Sequence, residues 1–140
     1  MLFRSTLQRS IPLIYSGQEE PFLDSISFFY KDTITFSRYA RAQFYSILLH
    51  LRQNTPALAA NAASKKLSTT NNQAIYAFER SSGPGKIVVI TNLSRKPQDF
   101  EINDADVNGD PVNVFTAKKE TINNHKKFHL DAWGYLVYKY

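Results

Sequence analysis

The sequence predicts an α+β chain: one buried strand with one or two helices, followed by an antiparallel β-sandwich. Three observations predict it. Ile11-Pro12-Leu13-Ile14 is a short apolar run bounded by proline and glycine, the pattern of a strand covered on both faces as in a parallel sheet. Residues 38–53 repeat apolar side chains at helical spacing. Beyond residue 57 the period becomes two, with turn signals between short runs.

Length and composition set the frame. At 140 residues the chain is about one domain long, and 43% apolar residues is ordinary globular composition. Ten Phe and eight Tyr beside the single Trp133 predict an aromatic core. The net charge of +5 is modest and scattered, with no basic stripe and no nucleic-acid motif, so nucleic-acid binding is not expected. Without cysteine there is no disulfide framework and no thiolate metal site. Residues 1–7 lack the apolar core and cleavage site of a signal peptide. No run approaches the ~20 apolar residues of a membrane helix, so no membrane partner is expected.

Taken in order, residues 1–9 read as the end of a helix, with Leu2, Phe3 and Leu7 near helical spacing and Arg4 and Arg9 outward. The run 11–14 follows, then a polar loop, Tyr15 to Glu20, where α/β proteins place ligand chemistry. Residues 24–36 form a connection whose aromatic residues Phe28, Phe29, Tyr30 and Phe36 imply packing over something larger. Ser37 serves as N-cap of the helix over 38–53. Ala40, Phe44, Ile47, Leu48 and Leu51 make its buried stripe, and Arg41, Ser46, His50 and Gln53 its other side. Asn54-Thr55-Pro56 ends it. Residues 57–72 are small and polar, and the domain boundary falls near 57. Runs 74–80 and 86–92 flank Ser81-Ser82-Gly83-Pro84-Gly85 as a hairpin with a five-residue loop. Residues 98–102, Val112 with Val114, 127–130 and 134–138 supply the remaining strands, with a turn at Asn108-Gly109-Asp110-Pro111.

Several motifs carry little chemistry. Gly83-Pro84-Gly85-Lys86 lacks the upstream glycine, the following Ser or Thr and the helix of a phosphate loop. His125 and His129 have the spacing of a helical zinc pair, but on a strand they stand over 10 Å apart at a rise of ~3.3 Å per residue. Asn92-Leu93-Ser94 is a glycosylation triplet of a kind that arises often by chance. Glu19 and Glu20 are adjacent, so on an extended chain they point opposite ways, and a structural role for one of them is expected.

The motifs together resemble a known family. Ile11-Pro12-Leu13-Ile14-Tyr15-Ser16-Gly17-Gln18-Glu19 resembles the eighth strand and following loop of the α-amylase group, glycoside hydrolase family 13, whose members commonly read Gly-x-Pro-x-Ile-Tyr-x-Gly-x-Glu. Ile26-Ser27-Phe28-Phe29-Tyr30-Lys31-Asp32 resembles the next segment in a bacterial subset. Phe44-Tyr45 through Leu51-Arg52, then Asn54-Thr55-Pro56-Ala57-Leu58, resembles the last barrel helix and the exit from it. Phe78-Glu79-Arg80, Ile87 to Ser94 and Trp133-Gly134-Tyr135-Leu136-Val137-Tyr138 resemble the C-terminal sandwich. Arg9-Ser10 stand where the family has glycine, a residue with easy access to positive φ.

The resemblance implies that residues 1–56 are the C-terminal remnant of a (β/α)8 TIM-barrel catalytic domain. Residues 57–140 would be the amylase-type β-sandwich. The nucleophile and acid/base carboxylates of the family lie on earlier strands, and retaining glycosidases need two carboxyls ~5 Å apart. No catalytic residue is therefore carried over, and the chain alone is expected to be inactive. Tyr15, Gly17, Gln18 and Glu19 would border the active-site mouth of the intact parent, Gly17 permitting the turn and Glu19 fixing the loop by hydrogen bonds. The implied partners are an α-glucan or maltooligosaccharide, and the missing barrel portion or a second copy. No cofactor or metal is implied for this chain, although calcium occurs in the parent family. The rival expectation is a non-catalytic carbohydrate-binding module stacking sugars on Trp133 and Tyr135, with Tyr76, Phe78, Tyr138 and Tyr140 as further candidates. A flat exposed pair of rings including Trp133 would favour it, and burial of Trp133 under the sandwich would favour a scaffold.

Overall fold

A computed structural model describes residues 2–20, 22, 25, 27–31 and 33–140, positions 3 and 4 by backbone alone. Expectations resting on Met1, Pro21, Asp24, Ile26 and Asp32, and on the side chains of Phe3 and Arg4, lie outside what is described. The elements in chain order are α1 (Leu2–Thr6), α2 (Ala42–Gln53), a 3₁₀ turn (Pro56–Leu58), β1 (Ala63–Leu67), β2 (Ile75–Ser82) and β3 (Gly85–Asn92). After these come β4 (Gln98–Phe100), a second 3₁₀ turn (Ala105–Val107), β5 (Val112–Asn113), β6 (Phe128–Leu130) and β7 (Tyr135–Lys139). Five strands form one antiparallel sheet in the order β1-β2-β3-β7-β5, and β4 pairs with β6 in a second.

The five-stranded sheet is buried on both faces, which is why β3 reads as an unbroken apolar run. Val88 and Ile90 point toward the small sheet, into a core with Leu67, Phe100, Ile102, Phe128 and Leu130. Ile87 and Val89 point the other way, into a core shared with Leu48, Leu51, Ala57, Leu58, Phe78 and Val137. The period of two thus places alternate residues in two different cores. The second core lies under α2, so helix and sheet bury each other's apolar faces.

One buried cation ties the N-terminal segments to this layer. Arg80 on β2 is fully buried and donates through Nε to Ala63 O (3.1 Å), through Nη1 to Thr6 O (2.8 Å) and through Nη2 to Ala59 O (2.6 Å) and Ala62 O (3.3 Å). Arg52 on α2 bonds Ser5 O (2.9 Å) and Ser10 O (2.5 Å). Both guanidiniums are satisfied by carbonyls. Burial lowers the pKa of Arg80, and the charge of Arg52 lowers it further.

Three sequence expectations are corrected, and two details are added that the sequence left open. The run 11–14 forms no strand: Ile11 is 85% and Leu13 61% exposed, because no strand among the described residues pairs with it. The second helix begins at Ala42, not residue 38, and Ser37 is not its cap. Arg41 takes that position without a side-chain cap, its N–H donating to Glu19 O (2.9 Å). Ala40 is exposed, and Tyr45 joins Leu48 and Leu51 on the buried face. Part of the stretch 57–72 is a strand: β1 pairs with β2 from Ala63↔Ser81 to Leu67↔Ala77. Its outer position, with only Leu67 buried, leaves no alternation to read. The hairpin loop is two residues, Gly83-Pro84, since Ser82 pairs with Gly85 and Gly83 takes a positive φ of 56°. Finally, β5 leaves Val112 exposed and buries Asn113, whose Oδ1 accepts the N–H groups of Phe115 and Thr116.

Candidate functional site

The polar loop after the run 11–14 is built around Gly17. Its φ of 89° belongs to glycine, and an added Cβ would lie 3.0 Å from Phe22 Cβ and 3.3 Å from Ile34 Cδ1. Gln18 N–H donates to Tyr15 O (3.1 Å), Glu20 N–H to Gly17 O (3.1 Å), and Tyr15 N–H to Gln18 Oε1 (3.1 Å). The Tyr45 hydroxyl on α2 reaches Gln18 O (3.3 Å). Arg9 supplies the positive φ (56°) at the position where the family pattern has glycine nearby.

The carboxylate that fixes the loop is Glu20, not Glu19. Glu20 Oε1 accepts from Arg38 N–H (2.7 Å) and Ser37 Oγ (3.2 Å), and Oε2 accepts from Tyr39 N–H (2.6 Å). The Tyr39 bond above all holds its pKa below the usual 4.5; desolvation, second in size, opposes it, and the bonds from Arg38 and Ser37 add to the lowering. The ring of donors explains the difference: residues 37–39 present consecutive donors to the side of the loop on which Glu20 lies. Glu19 instead faces a groove of about 530 Å³ lined by Ile14, Tyr45, Leu49, His50 and Gln53. Its Oε2 is shielded from solvent without a hydrogen-bond partner among the described residues. Tyr15 stands 60% exposed.

The aromatic candidates divide sharply. Phe78 and Tyr138 are buried, and Tyr140 donates its hydroxyl to Val107 O. Tyr135 packs edge-on against Phe44 (5.5 Å) and Phe115 (5.0 Å), while Phe44 and Phe115 stack at 5.6 Å. This cluster joins α2 to β7, and burial raises the Tyr135 pKa. Trp133 is 60% exposed, on a turn closed by Gly134 N–H to Asp131 O (2.9 Å), and no ring among the described residues stacks on it.

The remaining polar motifs have structural partners. Asn92, 1% exposed, donates Nδ2 to Lys96 O (2.8 Å), Asp131 O (2.9 Å) and Leu130 O (3.3 Å), and accepts from Ser94 N–H and Oγ. A buried amide so engaged is no glycan acceptor. His50 Nδ1 lies 3.2 Å from Ser46 Oγ, and His129 Nδ1 lies 2.7 Å from Asp99 Oδ1. Among the described residues no cluster of three His, Asp or Glu side chains could hold a metal, and no helix is long and apolar enough to cross a membrane. No local pattern marks Arg80 or Asn92 as a hub, since most of their partners are backbone carbonyls brought up by the tertiary fold.

No protein-family model and no curated protein matches the chain. Solved structures do. A noncanonic maltogenic α-amylase, AmyB from Thermotoga neapolitana, superposes with a TM-score of 0.80 at 16% identity, covering 99% of this chain and 34% of that one. AmyP in complex with maltose gives 0.74 at 15% identity, covering 99% and 33%. The MutB E254Q mutant in complex with sucrose gives 0.54 at 20% identity over 73% and 20%. The chain thus spans about a third or less of the structures it matches. Helical segment and sandwich together have the fold of the C-terminal part of α-amylase-type structures.

Proposed function

We propose that this chain is the C-terminal portion of an α-amylase-type glycoside hydrolase acting on α-glucans. In that reading residues 1–56 close the catalytic barrel, and the sandwich of 57–140 stabilises it without doing chemistry itself. The observation that carries the reading is the match to AmyB over 99% of the chain, helical segment included. A free-standing sandwich has no need of residues 7–41. The exposed Ile11, Leu13 and Tyr15 and the apolar groove beside Glu19 are what a last barrel strand and helix would present to their neighbours. The Tyr15–Glu19 loop would then border the active-site mouth, with Gly17 making its turn and Glu20 holding it to residues 37–39. The structure of AmyP with maltose supports an α-glucan as the substrate class.

On this reading the chain alone releases no reducing sugar from starch or maltoheptaose, and robust turnover would overturn it. Coding DNA upstream of the Met1 codon supplies the second test. An in-frame continuation that carries the nucleophile and acid/base carboxylates is expected, and an unrelated upstream domain would count against the proposal. Phe78 and Tyr138 are buried, which removes two rings from those the binding-module alternative could use.

A further inference from the structure

Trp133 holds a backbone conformation that its side chain does not favour. Its φ is 60°, in the left-handed region, at the third position of the four-residue turn Asp131–Gly134. Turns with positive φ there ordinarily carry glycine, and a bulky residue in that region is an outlier. The neighbouring Gly134 cannot relieve it, because a Cβ at 134 would lie 2.9 Å from Asp131 O. Gly134 is needed where it stands, and the strained place is given to the only tryptophan of the chain.

The turn is also braced. Asn92 Nδ2 holds the carbonyls of Leu130 and Asp131 on one side and of Lys96 on the other, and Trp133 N–H donates to Ser94 O (3.2 Å). Asn92 N–H donates to Gly134 O (2.9 Å). This network fixes the backbone under a ring that is 60% exposed and on which no ring among the described residues stacks. A core aromatic needs no such arrangement, and a solvated turn needs no tryptophan. Strain retained by a surrounding hydrogen-bond network points to a function for the group it displays.

We propose that Trp133 is a single-ring carbohydrate platform, a surface subsite separate from the Tyr15–Glu19 loop, whose ligand is a pyranose of an α-glucan chain. An indole face is flat, apolar and electron-rich, and the axial C–H groups of a pyranose present a flat, weakly positive face to match it. The loop to which the turn is bonded carries the exposed Arg95 and Lys96, and the Asp131 carboxylate, 89% exposed, lies 3.8 Å from His129 Nε2. The fixed backbone lowers the ordering cost of binding. The choice of an α-glucan over another polysaccharide rests on the proposed function above; the platform itself does not.

Because Trp133 is the only tryptophan, its fluorescence in the full chain reports on this site alone. Titration with maltoheptaose is expected to shift the emission to the blue and protect it from acrylamide, with a Kd of about 1 mM. By calorimetry Trp133→Ala and Trp133→Gly should lose binding at least tenfold. Trp133→Gly should keep or raise the thermal midpoint, since glycine takes the positive φ without strain. Absence of any response to maltoheptaose and to cellohexaose overturns the platform and leaves the barrel reading intact. A response to cellohexaose alone overturns the α-glucan assignment and counts against the barrel reading. Protection without sugar that grows with protein concentration makes Trp133 a protein contact and overturns the proposal. A fall in midpoint of more than about 5 °C for Trp133→Gly makes it a packing residue and does the same.

Discussion

Arg80 Nη1 donates to Thr6 O at 2.8 Å, joining residues 74 positions apart inside the core. The same guanidinium holds Ala59, Ala62 and Ala63, so one side chain fixes α1, the turn after α2 and the start of β1 to β2. Its planar fork suits this task, since carbonyls meet its donors along several edges at once. Thr6 and Ser5 lie at the C-terminal end of α1, where unsatisfied carbonyls favour a cation. Arg80→Met would leave those buried carbonyls unpaired and is expected to cost about 3 kcal/mol, read from urea unfolding. Arg80→Lys restores charge but not the fork and should recover less than half of the loss. Wild-type stability in Arg80→Met would mean that water replaces the fork.

Glu20 makes the loop sensitive to acid. Its pKa is depressed chiefly by the Tyr39 N–H bond, so its contribution is complete above the ordinary value of 4.5 and is lost as the pH falls through its lower native value. Amide protection at Arg38 and Tyr39 should therefore persist through pH 4.5 and fade only below it. An NMR titration of the Glu20 carboxyl carbon with a midpoint at or above 4.5 would show that the latch does not form in solution. Glu20→Gln should remove the transition and loosen residues 37–39 at all pH values.

His129 works in the opposite direction. It faces Asp99 across the β4–β6 ladder at 2.7 Å, with Asp131 at 3.8 Å on its other nitrogen. The Asp99 hydrogen bond is the main cause of a pKa raised above 6.5. Stability from this contact is present below the unfolded value of 6.5 and lost as the pH rises through the higher native one. The imidazole should titrate above 6.5 by NMR and return toward it in Asp99→Asn. An unchanged midpoint in that variant would discard the pairing.

Much of this architecture is legible in the residues. The apolar alternations of 75–80, 86–92 and 134–138 report their strands because burial is decided by side chains on one pleated backbone. Phe44, Leu48 and Leu51 report α2 for the same reason. The segment 11–14 misleads, because an apolar run states what it could bury and not whether a ladder partner is at hand. β1 is silent because four of its five residues are exposed. Glu20 and Asn92 were out of reach of any local pattern: their partners are main-chain groups set by tertiary geometry. Trp133 and Gly17 could be named from the sequence, but the positive φ that gives Trp133 its interest could not.

Leu48 tests whether helix and sheet unfold together. It is fully buried in the core that α2 shares with Phe78, Val89 and Val137, on the far side of residue 57. Leu48→Ala removes side-chain volume that neither layer can easily refill, at a cost of about 3 kcal/mol. If the two parts share one cooperative core, the loss shifts a single unfolding transition, and amides of β2, β3 and β7 lose protection with those of α2. In the wild type, residues 45–58 should then exchange at rates near those of β2 and β3, while the amides of Ile11, Leu13 and Ile14, which pair with no strand among the described residues, exchange far faster. Two transitions, with β2 and β3 untouched by Leu48→Ala, would instead make the boundary at 57 an energetic one. That outcome would leave α2 as a helix that needs the rest of a barrel to be held in place.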